Sequence, residues 1–302
     1  FTYNLMRYLL LLLYLLTGCT DGTKTLPNST GAGSEVIFVV EDKLWENSVV
    51  SLVQSTFGAS IEGINQNELL FRIVQVNHSE FKSILKTHKN IIIIAKEVET
   101  SSQKNKWATN QFVAQLNWEK NSAQIFLELK KLRSIFALKE IKEKRSSFAK
   151  LSQKNIEKNL FDNFGIECIV PKEYQILRND STIFWANYDP HKSDEIKNII
   201  TFSFIPKSSN LQTEVLQQSD SVFAKYLIGE KEGSFVRIEP EFPPYYFENC
   251  YRGLWKLEHG FMGGPFLIKT YFINNRIVVN VGLVFAPQSR KRKYIKEFEA
   301  IL

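Results

Sequence analysis

Methionine and cysteine are nearly missing from this 302-residue chain, at two and three copies, and histidine is limited to four. Three cysteines exclude the multiply cross-linked scaffold of a small secreted domain, since they allow at most one internal disulfide. The histidines, His78, His88, His191 and His259, are scattered, so a metal site would need distant parts of the chain to meet, and none is expected. The sequence also lacks His-Glu-x-x-His, Gly-x-Ser-x-Gly, a phosphate-binding glycine loop and Cys-x-x-Cys. His78-Ser-Glu is without the paired cysteines that a zinc deaminase needs. Ser-x-x-Lys occurs at Ser79–Lys82, Ser101–Lys104 and Ser147–Lys150, but repeated hits in a chain rich in both residues signal chance. No catalytic residue, metal or cofactor is expected. The formal charge of +6 favours anionic surroundings only weakly, because it is spread over a long chain, and nucleic acid is not an expected partner.

No apolar run approaches the roughly 20 residues of a membrane span. A shorter one stands near the start. The chain opens on Phe1, so "FTYNL" reads as upstream sequence or a fragment edge, and the natural start is expected at Met6. Arg7 then precedes the unbroken apolar stretch Tyr8 to Leu16, which has the proportions of a secretory signal peptide. The stretch ends in "LTGC", Leu16 to Cys19, which resembles the lipobox of bacterial lipoproteins. The resemblance implies a diacylglyceryl group on the Cys19 sulfur, cleavage before it, and an acylated N-terminus. Each buried methylene adds about 0.8 kcal/mol, and two or more chains anchor stably where one does not. The bilayer is thus the first expected partner, through Cys19. Of the remaining thiols, Cys168 and Cys250, an oxidising compartment permits a disulfide, but two buried free thiols are the favoured reading.

After the leader (residues 1–18), residues 19–34 are polar and without apolar period, a lipidated flexible tether. From residue 35 to 119, "EVIFVV", "LLFRIVQV" and "NIIIIAK" read as strands separated by helices at "DKLWENSVVSLVQSTFG" and "SEFKSILKTH", with "NQFVAQLNW" added at the edge. Asp42 is the expected cap of the first helix. Residues 120–165 carry apolar side chains mostly three and four apart, from Leu129 to Phe164, with no proline before Gly165. This reads as one long or once-broken amphipathic helix whose basic outer face, including Lys130, Lys142 and Lys150, is solvated. Residues 166–302 are strand-rich: "ECIVP", "STIFWANY", "NIITFSFIP" and "SFVRIEP", with a helix at "TEVLQQSDSVFAKYLIG" capped by Thr213. A hairpin turns at Asn274-Asn275, placing Phe266, Ile268, Thr270 and Phe272 on one face of one strand and Val279, Val281, Leu283 and Phe285 on one face of its partner. "SRKRKYIKEFEAIL" closes the chain as a helix docked through Tyr294, Phe298 and Ile301. The expected fold is therefore α+β (mixed α/β), two sandwich-like lobes with mixed sheets joined by a long helix.

One stretch concentrates unusual residues. In "RGLWKLEHGFMGGPF", residues 252–266, Arg252, Gly253, Trp255, His259, Gly263 and Gly264 form either a binding loop or a structural turn, and the structural reading is favoured. Gly263 and Gly264 there allow positive φ or the close approach of another backbone. "HGFMGG" resembles the oxyanion loop of esterases, without a nucleophile elbow to serve.

"RGLW", "MGGPF" and "GLVFAPQSRKRKYIKEFEAIL", with "KNIIII", "WATNQ" and "IECIVPKEYQI" upstream, are similar to a family of Bacteroidota lipoproteins known as a domain of unknown function, number 4837. The resemblance runs from about Glu35 to the C-terminus and is most specific in its C-terminal motifs. It implies an acylated envelope protein of a Gram-negative bacterium and brings no catalytic residue with it. Lys89 stands where the family has arginine, which gives up a bidentate pair there. Thr20 rather than aspartate follows Cys19, and Asp21 is the sole acidic residue near it, so the outer membrane and its periplasmic face are expected. The leading expectation is a non-catalytic accessory or scaffold protein with an envelope protein partner. The alternatives are a hydrolase of envelope polymers and a glycan- or lipid-binding module using Trp185, Trp255, Tyr245 and Tyr246.

Overall fold

The computed structural model describes residues 25–119 and 122–302. Cys19, the leader and the first part of the expected tether lie outside the described residues. The chain folds as an α+β protein of two lobes, each built on its own sheet.

The N-terminal sheet contains β1 (Glu35–Val39), β2 (Arg72–Val76), β3 (Asn90–Ala95), β4 (Ser101–Lys104) and β5 (Phe112–Asn117), in the order β2-β1-β3-β5-β4. Strand β4 runs antiparallel to β5; the other pairings are parallel. Strands buried on both faces need apolar residues at every position, which is why "EVIFV" and "NIIIIA" do not alternate. Val36, Phe38, Ile92 and Ile94 face two helices. The first, α1, runs as an α turn (Asp42–Leu44), a π turn (Trp45–Val49) and an α segment (Val50–Thr56). The second, α2 (Ser122–Lys150), seals the core with Ile125, Leu129, Leu132 and Phe136. On the opposite face Ile37, Val39 and Ile91 pack with Phe81 and Trp107.

The C-terminal sheet is antiparallel throughout. It contains β6 (Gln175–Asn179), β7 (Ile183–Tyr188), β8 (Ile196–Phe204), β9 (Val236–Ile238), β10 (Tyr245–Phe247), β11 (Cys250–Leu257), β12 (Gly263–Ile273) and β13 (Arg276–Phe285). The order is β10-β11-β12-β13-β8-β7-β6, with β9 also paired to β11. Helices α3 (Lys154–Phe164) and α5 (Arg292–Ile301) cover one face, and α4 (Leu211–Tyr226) covers the other. The hairpin turns at Asn274 and Asn275, both in the left-handed region at φ 49° and 62°. Phe266 lies opposite Leu283, Ile268 opposite Val281 and Thr270 opposite Val279, the facing sets read from the alternation.

Several local expectations are corrected. "NQFVAQLNW" forms an interior strand, β5, because the polar segment Ser101–Lys104 supplies the edge. "ECIVP" is not a strand; it runs beside the break between α2 and α3, where Gln153 N donates to Val170 O and Lys172 N to Leu151 O. "SEFKSILKTH" yields only a 3-10 turn, Ser83–Thr87. Asp42 does not cap α1, since its carboxylate accepts from Gln75 Nε2 at 3.0 Å, and the cap of α4 is Asn210, accepting from Thr213 N at 3.1 Å. The end of the expected tether is docked: Ser29 N donates to Thr109 O, Thr30 N to Thr87 O, and Asn90 Nδ2 to the carbonyls of Gly33 and Glu35. The helical run expected over 120–165 is divided by its break: α2 packs in the first core and α3, through Leu160 and Phe164, in the second.

The lobes meet along α5. The Arg292 guanidinium grips both Glu140 carboxylate oxygens at 2.7 Å and also donates to Leu70 O. Glu68, from the first lobe, accepts the backbone N–H groups of Lys291 and Arg292 at the head of α5. Ile61, Ile64 and Ile295 form a small apolar cluster between them.

Candidate functional site

The residues singled out between 252 and 266 lie on the β11–β12 hairpin, and the pleat separates them. Arg252 points toward α5, where it donates to Glu62 O at 3.0 Å and pairs with Glu299 at 3.1 Å. It therefore works as a strut between lobes. Trp255 points to the other face, buried, with its indole N–H donating to Val284 O at 3.2 Å. A side chain on Gly253 would press on the Phe266 ring, and one on Gly264 would overlap the Val284 carbonyl oxygen. Close approach, not positive φ, is what Gly264 permits. Gly263 lies opposite Lys256 in the same ladder. The left-handed turn residue is His259, at φ 56°, exposed at the tip of the hairpin. These six residues thus do not converge on one site.

The structure instead brings Trp255 together with Trp185. Both line a half-open pocket of ≈190 Å³ under the C-terminal end of α4. Tyr226, Phe285, Leu283 and Met262 complete its walls, and no charged side chain is among the lining residues. The two polar side chains present, Asn187 and Asn198, are held to the wall: Asn198 Oδ1 accepts from Trp185 Nε1 at 2.9 Å and from Asn187 Nδ2 at 3.0 Å. These bonds take up one indole N–H and one amide N–H within the half-buried wall. The rim continues the apolar character, since Ile228 is 71% exposed. For comparison, a dry apolar cavity of about 150 Å³ accepts a benzene ring. Tyr245 and Tyr246, expected beside these tryptophans, sit at the far edge on β10, where Tyr246 hydrogen-bonds Asn249.

The histidines are placed singly. His78 Nε2 is 3.2 Å from Ile94 O, and His88 is buried, with Nε2 2.8 Å from Glu35. Among the described residues no group of three or more His, Cys, Asp or Glu is gathered as a metal ion would require. Cys168 and Cys250 are free thiols, and burial pushes Cys168 up to about 11. A lysine in a second depression, on the first lobe, is perturbed the other way. Burial lowers Lys139 to about 8, with Glu143 opposing and Lys89 assisting, while its Nζ donates to Lys89 O and Asn90 Oδ1, both at 3.2 Å.

Trp185 and Trp255, 70 positions apart, are grouped by the sequence reading with Tyr245 and Tyr246 as aromatic candidates, and of these the structure joins only the two tryptophans at the pocket. The available signal was their common inward phase on β7 and β11, which marks core and pocket alike.

Residues 153–302 match the family model described as a domain of unknown function (DUF4837), and residues 29–149 match that of a second domain of unknown function (DUF8532). The similarity noted from Glu35 onward therefore divides between two family models, at the break between α2 and α3. No curated protein matches the chain.

Proposed function

We propose that this pair of adjoining domains of unknown function is a non-catalytic accessory lipoprotein of a Bacteroidota envelope, which holds the aliphatic tail of an amphiphile in the pocket between Trp185 and Trp255. The single observation that carries the binding reading is that pocket: half open, ≈190 Å³, without a charged lining residue, and extended outward by exposed Ile228. A sugar would call for several convergent polar groups, whereas this lining is mostly apolar. An acyl chain calls for area alone, and a rim longer than one ring suits a chain better than a single aromatic group.

The location rests on the leader. The apolar run Tyr8 to Leu16 and "LTGC" support acylation of Cys19, and the single Asp21 after it supports the periplasmic face of the outer membrane. Intact-mass analysis of the native protein is expected to show diacylglyceryl and a further acyl chain, such as palmitate, at Cys19; an unmodified thiol with the leader attached would remove the anchor.

The pocket is tested with a series of saturated fatty acids, octanoate to dodecanoate, read by the emission of Trp185 and Trp255. Affinity should rise about fourfold per methylene until the pocket is filled. Ile196→Trp, which puts a ring into the opening, should abolish the response. Affinity independent of chain length, or undiminished in Ile196→Trp, would refute tail binding.

A further inference from the structure

A second concave site lies between the lobes, distinct from the apolar pocket. It is an open cleft of ≈970 Å³ walled on one side by Ser34, Arg72, Lys144 and Ser147 and on the other by Arg290 and Lys293. Binding sites favour such junctions, because two rigid bodies can supply groups from both sides.

The charges of this cleft divide unevenly. Four carboxylates line it, and each is engaged inside the protein. Glu35 holds His88 at 2.8 Å and Arg72 at 3.2 Å. Glu68 accepts the N–H groups that open α5. Glu140 grips Arg292 at 2.7 Å, and Glu143 holds Lys89 at 2.9 Å. The cations are not matched in the same way. Lys144 and Arg290 have no acidic partner among the described residues. The Lys293 side chain is 54% exposed and reaches Glu195 only at 3.9 Å. The Arg72 side chain is 78% exposed beyond its contact with Glu35. An anion entering here would meet cations of both lobes without displacing an internal pair.

We propose that this cleft binds a phosphate-bearing ligand, with Lys144 from the first domain and Arg290 from the second as its principal contacts and Arg72 and Lys293 at its margin. Guanidinium groups present paired N–H donors that match phosphate oxygens, and an ammonium adds a compact charge. Walls of low polarizability concentrate the field of such a cluster. The site exists only where both domains adjoin, which accounts for cations arriving from each. The ligand could be a free phosphate or a lipid headgroup, and the chemistry recognised is the same.

The test uses the processed chain from position 19 onward with Cys19→Ser, so that neither the apolar leader nor an acyl anchor contributes. In one arm, calorimetry measures binding of inorganic pyrophosphate. In the other, flotation measures binding to phosphatidylcholine vesicles with and without phosphatidylglycerol. Lys144→Ala/Arg290→Ala should weaken binding at least about tenfold, because contacts to charged groups are lost. Lys131→Ala/Lys158→Ala removes equal charge from exposed positions outside the cleft and should have little effect. Neither lysine of the control nor the tested pair holds an internal ion pair, so folding is expected to survive in both. Pyrophosphate binding lost only in the cleft variant assigns a soluble phosphate; vesicle binding lost only there assigns a headgroup. No saturable binding in either arm, or equal loss in the control, overturns the proposal. Ile196→Trp should leave both arms unchanged, which separates this site from the tail pocket.

Discussion

At Gly264 a single hydrogen stands where any side chain would run into the Val284 carbonyl oxygen, the acceptor of the Trp255 indole. The obstacle is backbone in the middle of a sheet, so a larger residue must push strands apart. Gly264→Val is expected to cost about 1–3 kcal/mol, read as a lower thermal midpoint by circular dichroism; an unchanged midpoint would deny the glycine its structural role. Lys139 makes a prediction about pH. Its value falls to about 8 in the fold against 10.5 in an open chain, chiefly through burial. Between these values the unfolded chain binds the extra proton, so stability rises with pH as the fold is relieved of a buried charge. Cys168, raised from 9.0 to about 11, acts in the opposite sense from pH 9 upward, because there the fold retains a proton that the unfolded chain releases. Urea midpoints should therefore climb from pH 8 to 9 and flatten above. Lys139→Met should remove the climb, because neither state then binds a proton at that position.

At the scale of elements, α5 holds the molecule together. "RKYIKEFEAI" reads as a strongly charged helix with one apolar stripe, and Tyr294, Phe298 and Ile301 do dock on the sheet as their spacing indicates. The sequence did not show that the opposite side is also covered. Ile295 is buried against the first lobe, and Arg292 pairs there with the buried Glu140 at 2.7 Å. Helical periodicity reports one apolar face; a second face buried through ion pairs leaves a sequence that looks solvated. Glu140→Ala tests this directly. It would strand the Arg292 guanidinium, whose side chain is only 14% exposed, and is expected to cost about 3–5 kcal/mol in urea denaturation. Faster hydrogen exchange confined first to α5 would identify the element; full retention of stability would show the pair to be dispensable.

For the whole molecule, three arginines bridge the lobes or their seam: Arg292 to Glu140, Arg252 to Glu62 O, and Arg145 to Ala300 O. With the Ile61, Ile64 and Ile295 cluster, they couple two cores that are otherwise separate. The native chain is expected to unfold in one transition followed by tryptophan emission and far-ultraviolet circular dichroism together. Glu140→Ala should split it into two, the second lobe reporting through Trp185 and Trp255. Coincident transitions in the variant would mean that the lobes are coupled by something other than α5.

Much of the architecture could be read from local pattern. Unbroken apolar strings marked the buried parallel strands, alternation marked the β12–β13 hairpin, and Asn274-Asn275 marked its turn, because each depends on residues close together in the chain. The resemblance of "LTGC" to a lipobox is likewise local and needs no fold to be noticed. Polar β4 and the docked residues 29–34 had no such signal, and the common inward phase of Trp185 and Trp255 did not distinguish pocket from core. Arg252 illustrates the difference. The structural reading of its stretch agrees with its bonds, but nothing local showed that it reaches across 190 positions to the Glu62 carbonyl. Short-range periodicity fixes which side of a strand is apolar. Only the packing of one lobe on the other decides which charges find partners and which, like Lys144 and Arg290, are left facing a cleft.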